Sequence, residues 1–120
     1  MAHILVVDDS ITNRKVIVNY LLSLGHTTCE AGDGFEGETV AKAEKPEAMI
    51  LDVVMPGRNG FELLREIRKT PGFEKTPIIM LTSKDQDSDR FWGMKQGASD
   101  YLTKPFSEDE LKAALKKHIK

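Results

Sequence analysis

Ile4-Leu5-Val6-Val7-Asp8-Asp9-Ser10 sets four apolar residues directly against two acids and a hydroxyl. The apolar run does not alternate with polar residues, so it suits a strand buried on both faces, as in a parallel sheet covered by helices. Two further runs have the same build: Met49 to Leu51, followed by Asp52, and Ile78 to Leu81, followed by Thr82 and Ser83. Thr27-Thr28-Cys29-Glu30-Ala31 and Asp100-Tyr101-Leu102-Thr103 are mixed in character and fit strands at the sheet edges.

Between these runs the apolar period lengthens. Residues 11–24 carry Ile11, Val16, Ile17, Tyr20, Leu21 and Leu24 at helical spacing and stop before Gly25. Residues 34–44 form a weaker helix, with Asp33 as N-cap and Pro46 as stop. Residues 60–69 follow Asn59, with Glu62 three positions on. Residues 84–96 predict a polar helix ending at Gly97. Ser107-Glu108-Asp109-Glu110 is a capping box. Leu111, Ala114, Leu115, His118 and Ile119 then recur with the helical period. The order βαβαβαβαβα predicts an α/β fold, a doubly wound parallel sheet with helices on both faces.

Composition narrows the function. The 120 residues are 40% hydrophobic and 30% charged, enough for one domain with a real core. Seventeen basic residues against 19 acidic ones give a net charge of −2, which argues against a nucleic-acid partner. Cys29 is the single cysteine, so a disulfide scaffold and a multi-cysteine zinc site are excluded. No apolar run approaches a membrane span, and the N-terminus lacks the build of a signal peptide. The expectation is one cytoplasmic domain over residues 1–120, with no output domain and no membrane partner. Its readout would be binding to another protein.

In a parallel sheet the strand ends share one edge, and ligands bind outside it near the point where strand order reverses. The ends read Asp8-Asp9, Asp52, Thr82-Ser83 and Thr103-Lys104-Pro105. Three carboxylates brought together repel and raise one another's pKa unless a cation intervenes. One lysine cannot balance them. An oxygen-only donor set suits Mg²⁺, which keeps several waters. A hydroxyl and an ammonium opposite the metal would suit a phosphoryl group, with the central carboxylate as nucleophile. Each residue also has an ordinary reading. Asp8-Asp9 or Asp52 can begin a turn, Thr82-Ser83 can cap a helix, and Lys104 can be solvated. It is four strand ends with compatible chemistry that favours the joint reading.

The chain resembles the receiver domains of response regulators, of the single-domain, CheY-like chemotaxis type. The resemblance rests on Val6-Val7-Asp8-Asp9-Ser10, Ile50-Leu51-Asp52-Val53-Val54-Met55-Pro56-Gly57 and Asn59-Gly60-Phe61-Glu62-Leu63-Leu64. It continues with Pro77-Ile78-Ile79-Met80-Leu81-Thr82-Ser83 and Gly97-Ala98-Ser99-Asp100-Tyr101-Leu102-Thr103-Lys104-Pro105-Phe106. It implies a flavodoxin-like (βα)5 fold with strand order 2-1-3-4-5. It implies that Asp52 accepts a phosphoryl group from a sensor histidine kinase or phosphotransfer domain. Asp9, Asp52 and the carbonyl of Val54 would hold Mg²⁺, with Asp8 in support. Lys104 would contact the phosphoryl group, Thr82 and Tyr101 would form the switch, and the bond to Pro105 would be cis. The face over residues 84–120 would change and bind a downstream motility or regulatory protein. A monomer is expected, with dimerisation on phosphorylation left open.

Within that family, Val54 and Lys84 stand at variable positions flanking the phosphoryl group. Trp92 lies beside Phe91 and Met94 in a polar helix, which fits either core or partner surface equally. Trp92-Gly93 ahead of Gln96-Gly97-Ala98 resembles regulators of twitching motility and type IV pili, while flagellar-type control stays open. Tyr101 read without the family is a half-buried edge tyrosine. His3 and His118 have no acidic neighbour in sequence and read as structural or solvated, His26 carries no role, and Cys29 reads as an edge-strand filler. A degenerate receiver acting as a phosphorylation-independent scaffold is the alternative, and the complete acidic set speaks against it. An aspartyl-phosphate hydrolase would want a second acid two residues past the nucleophile, where Val54 stands. A nucleotide-binding protein would want a glycine-rich loop after the first strand, where Asp8-Asp9-Ser10 stands.

Overall fold

The computed structural model describes residues 1–83 and 97–119. Five strands, β1 (His3–Val7), β2 (Thr27–Ala31), β3 (Ala48–Asp52), β4 (Ile78–Ser83) and β5 (Asp100–Lys104), form one sheet in the order β2-β1-β3-β4-β5. Every pairing is parallel. The four described helices are α1 (Ile11–Ser23), α2 (Gly34–Glu44), α3 (Gly60–Lys69) and α4 (Glu108–His118). The helix expected over residues 84–96, with Lys84 and Trp92, lies outside the described residues.

The unbroken apolar runs follow from this layering. Successive strand residues point to opposite faces, and both faces are covered. Leu5, Val7, Met49, Leu51, Ile78 and Met80 pack with Ala41 of α2 and with Phe61, Leu63, Leu64 and Ile67 of α3. Ile4, Val6, Ile50, Ile79 and Leu81 pack on the other side with Ile17 and Leu21 of α1 and with Leu111, Ala114 and Leu115 of α4. β2 and β5 lie at the edges, which explains their mixed composition.

Helix ends obey local chemistry. Ser10 caps α1, its hydroxyl accepting from the Asn13 N–H at 3.2 Å, so neither Asp8 nor Asp9 is used as a cap. Asp33 caps α2, and Lys45, in the left-handed conformation at φ 49°, closes it before Pro46. Asn59–Glu62 and Ser107–Glu110 are complete capping boxes. Gly37 of α2 lies close against the core: a Cβ there would stand 2.9 Å from Leu63 Cδ2 and 3.1 Å from Val7 Cγ2, so these side chains would have to shift.

Arg68, in the last turn of α3, ties together loops that the layers leave unpaired. Its Nη1 donates to the carbonyls of Phe73 at 2.8 Å and Thr76 at 2.7 Å, and its Nε to that of Gly97 at 2.9 Å. An aliphatic side chain would strand these acceptors. Arg68→Met is therefore expected to cost about 2–4 kcal/mol, read as a lower urea midpoint with an unchanged slope. A midpoint near that of the wild type would show that water replaces the guanidinium.

Candidate functional site

The order β2-β1-β3 places the reversal of strand order between β1 and β3. The acids Asp8-Asp9 follow one of these strands and Asp52 ends the other. A carboxylate oxygen from each of Asp8, Asp9 and Asp52 lies within 4.8 Å of the other two. Asp9 is exposed, whereas Asp8 and Asp52 are buried.

Asp8 is held on every side. Its Oδ1 accepts from the Ser10 N–H at 2.9 Å, and its Oδ2 takes the Lys104 ammonium at 3.2 Å. Its carbonyl accepts from Arg14 Nη1 at 2.7 Å, and Arg14 is in turn paired with Glu30 at 2.9 Å. Lys104, at the end of β5, also reaches Asp52 Oδ1 at 3.3 Å. Three carboxylates and one ammonium leave a formal charge of −2 in the cluster. Burial pushes the Asp52 carboxyl up to about 6, with the charges of Asp8 and Asp9 adding to the rise and Lys104 opposing it.

The backbone around Asp52 is equally constrained. Val53 N–H donates to the Leu81 carbonyl, and Gly60 N–H donates to the Val53 carbonyl, both at 2.9 Å. The chain thus turns back on itself after β3, and α3 begins against the strand it has just left. A Cβ at Gly60 would fall 2.2 Å from the Asp52 carbonyl oxygen, so only glycine fits there. Neither Gly60 nor Arg14 is among the site residues expected from the sequence. Their signal is a clash and a salt link that exist only once strands and helices have packed.

The other expected residues stand as follows. Thr82 is buried on β4, one residue beyond Leu81, the register partner of Asp52. Val54 is 59% exposed in the loop after β3. Tyr101 is buried within the core cluster that includes α3, deeper than the half-buried edge tyrosine its strand composition suggests. The Lys104–Pro105 peptide is cis. His3 and His118, without acidic neighbours in sequence, do have acidic partners in space: His3 Nε2 is 3.1 Å from Glu44 and His118 Nε2 is 3.1 Å from Asp100.

An acidic pocket at the reversal point of such a sheet, with a lysine from β5 inside it, is the arrangement of a signalling receiver domain. Residues 4–116 match the model of the response regulator receiver domain, and the chain belongs to that family. It is similar to protein PilH of Pseudomonas aeruginosa, 44% identical over 111 residues that make up 92% of either chain. The Vibrio cholerae chemotaxis protein CheY4 superposes with a TM-score of 0.93 at 34% identity, covering 99% of both chains. The receiver domain of a sensor histidine kinase from Pseudomonas aeruginosa superposes with a TM-score of 0.90 at 34% identity, over 98% of this chain and 97% of that one. That structure carries a magnesium ion coordinated in its active-site cleft. The oxygen-only donor set of Asp8, Asp9 and Asp52, with charge to spare, fits a hard divalent cation of the same kind.

The Asp52 shift has a consequence for stability. The folded state holds a proton on Asp52 more tightly than the unfolded chain does, because its pKa rises from 3.8 to about 6. The resulting stabilisation is complete below pH 4 and is lost as pH rises through 6; above that, the ionised carboxylate is a standing penalty. Asp52→Asn is expected to stabilise the metal-free protein at pH 8 by up to about 3 kcal/mol, with the difference vanishing toward pH 4. Urea unfolding in chelator at the two pH values checks this, and an equal difference at both would refute the assignment.

Proposed function

We propose that the chain is a response regulator that accepts a phosphoryl group on Asp52 in a Mg²⁺-dependent reaction and passes the signal on by protein binding. The observation that carries this reading is the convergence of Asp8, Asp9, Asp52 and Lys104 at one strand edge, with more negative charge than the protein's own residues there neutralise. Asp9, Asp52 and the Val54 carbonyl would hold Mg²⁺, with Asp8 in support. When bound, the ion supplies positive charge for the phosphoryl oxygens and lowers the repulsion among the carboxylates.

The donor is a phosphohistidine on a sensor kinase or phosphotransfer domain. An Asp52 carboxylate oxygen attacks phosphorus, a P–O bond forms, the P–N bond breaks, and the electron pair leaves with the imidazole. Lys104, already placed between Asp8 and Asp52, turns its ammonium to the phosphoryl oxygens. Thr82, next in line along β4, donates its hydroxyl to the same group. A charge-assisted hydrogen bond of this kind is worth about 1.5–3 kcal/mol, which is the scale on which two-state switches are biased. Tyr101 lies beside Met80 in the strand register, on the strand next to Thr82, and is the second switch residue. The changing surface runs over residues 84–120 and takes in β5 and α4. Its partner is a motility or regulatory protein, in keeping with the similarity to PilH and CheY4. The protein acts as a signalling switch and is expected in the cytoplasm.

Intact-mass spectrometry after incubation with acetyl phosphate and Mg²⁺ tests this. A single phosphoryl adduct is expected on the wild type, and none with Asp52→Asn or with EDTA. No adduct on folded wild-type protein from either acetyl phosphate or a phosphorylated kinase would leave the scaffold reading in its place.

A further inference from the structure

Among the described residues, a second group of metal-ligating side chains lies away from the acidic edge. His3, Cys29 and Glu44 each offer one donor atom within 4.8 Å of the other two. His3 is the first residue of β1, Cys29 lies in the middle of β2, and Glu44 ends α2. Imidazole, thiol and carboxylate are thus brought together by three different elements.

The pairing of β1 with β2 fixes the arrangement. Thr27 is the register partner of His3, and Cys29, two residues further on, points to the same face of the sheet. His3 Nδ1 lies 2.8 Å from Thr27 Oγ1, while Nε2 faces Glu44 Oε1 at 3.1 Å. The hydroxyl at Nδ1 is the kind of outer contact that orients a histidine ligating through Nε2, while Glu44, facing Nε2, stands where a second ligand would. His3 and Cys29 are half-buried and Glu44 is exposed, so the group is open to an ion from solvent. Burial pushes the Cys29 thiol up to about 11, and the carboxylates of Glu44 and then Glu30 push in the same direction. The negative field that disfavours the thiolate attracts a cation.

We propose that His3, Cys29 and Glu44 bind a borderline-soft divalent metal ion, Zn²⁺, through Nε2, Sγ and a carboxylate oxygen, with a fourth position open to solvent. Bonds of about 2.0–2.3 Å in a tetrahedron separate donors by roughly 3.3–3.7 Å. The His3–Glu44 pair is already near that spacing. Binding releases the thiol proton to solvent as the sulfur–metal bond forms. The Glu44 carboxylate only accepts, so Nε2 carries the ring N–H in the metal-free protein; metal binding shifts that N–H to Nδ1, where it is donated to Thr27 Oγ1, and frees Nε2 to ligate. The mixed nitrogen, sulfur and oxygen donors do not suit Mg²⁺, so this site and the acidic edge select different ions. The ion would fasten β1, β2 and the end of α2 to one another.

The test uses the full chain in Mg²⁺-containing buffer, with Co²⁺ as a spectroscopic probe and Zn²⁺ as competitor. One equivalent of Co²⁺ should give a thiolate-to-cobalt charge-transfer band, abolished by Zn²⁺ and absent in Cys29→Ser. His3→Gln and Glu44→Gln should each weaken binding at least about tenfold, while Asp52→Asn leaves it unchanged. In the wild-type protein, Zn²⁺ should slow alkylation of Cys29 at least about tenfold, a readout that needs no variant to fold. Absence of the band, or a band and an alkylation rate indifferent to His3→Gln and Glu44→Gln, would overturn the site.

Discussion

At the acidic edge Asp8, Asp9 and Asp52 crowd three carboxylates within 4.8 Å of one another. Like charges at that distance repel strongly once water is partly excluded. Asp8, fully buried, is tolerable because a backbone N–H and the Lys104 ammonium take its two oxygens and Arg14 holds its carbonyl. Asp52 shares the same ammonium, and its raised pKa records what one lysine leaves unbalanced. The cluster therefore favours an external cation.

A site under such repulsion must be built on elements that do not yield. The three central strands are buried on both faces, between α2 and α3 on one side and α1 and α4 on the other. Gly60 lets the start of α3 close directly onto the Asp52 carbonyl, so the strand end cannot relax in that direction. Arg68 pins three carbonyls from the loops around β4 and β5 to the other end of the same helix. The acids at the strand ends are thus presented by a rigid frame.

Much of this could be read from the residues in order. Ile4 to Val7, Met49 to Leu51 and Ile78 to Leu81 announce doubly covered strands because no residue in them tolerates water. The capping boxes at Asn59 and Ser107 mark two helix starts to the residue, since capping is a contact among neighbours in sequence. Asp8, Asp9, Asp52 and Thr82 stand out because they follow directly on apolar runs, and Lys104 because it closes the last strand. Arg68, Arg14 and Gly60 carry no such local mark. Tyr101 was legible as a strand residue but not as a buried one, because an edge strand's burial depends on what is packed against it. The partners of His3 and His118 were equally hidden: Glu44 is 41 residues away from the first, and Asp100 is 18 from the second.

Local sequence is enough for the α/β class, for most element boundaries and for marking Asp8, Asp9, Asp52, Thr82 and Lys104 as candidates. These are set by apolar period, by capping and by the juxtaposition of charge with apolar runs, all of which act over a few residues. Tertiary structure alone decided which of those residues meet, how they share Lys104, and that His3, Cys29 and Glu44 form a second cluster. Such distances depend on strand register and helix packing, where contacts between residues far apart in the chain settle the geometry.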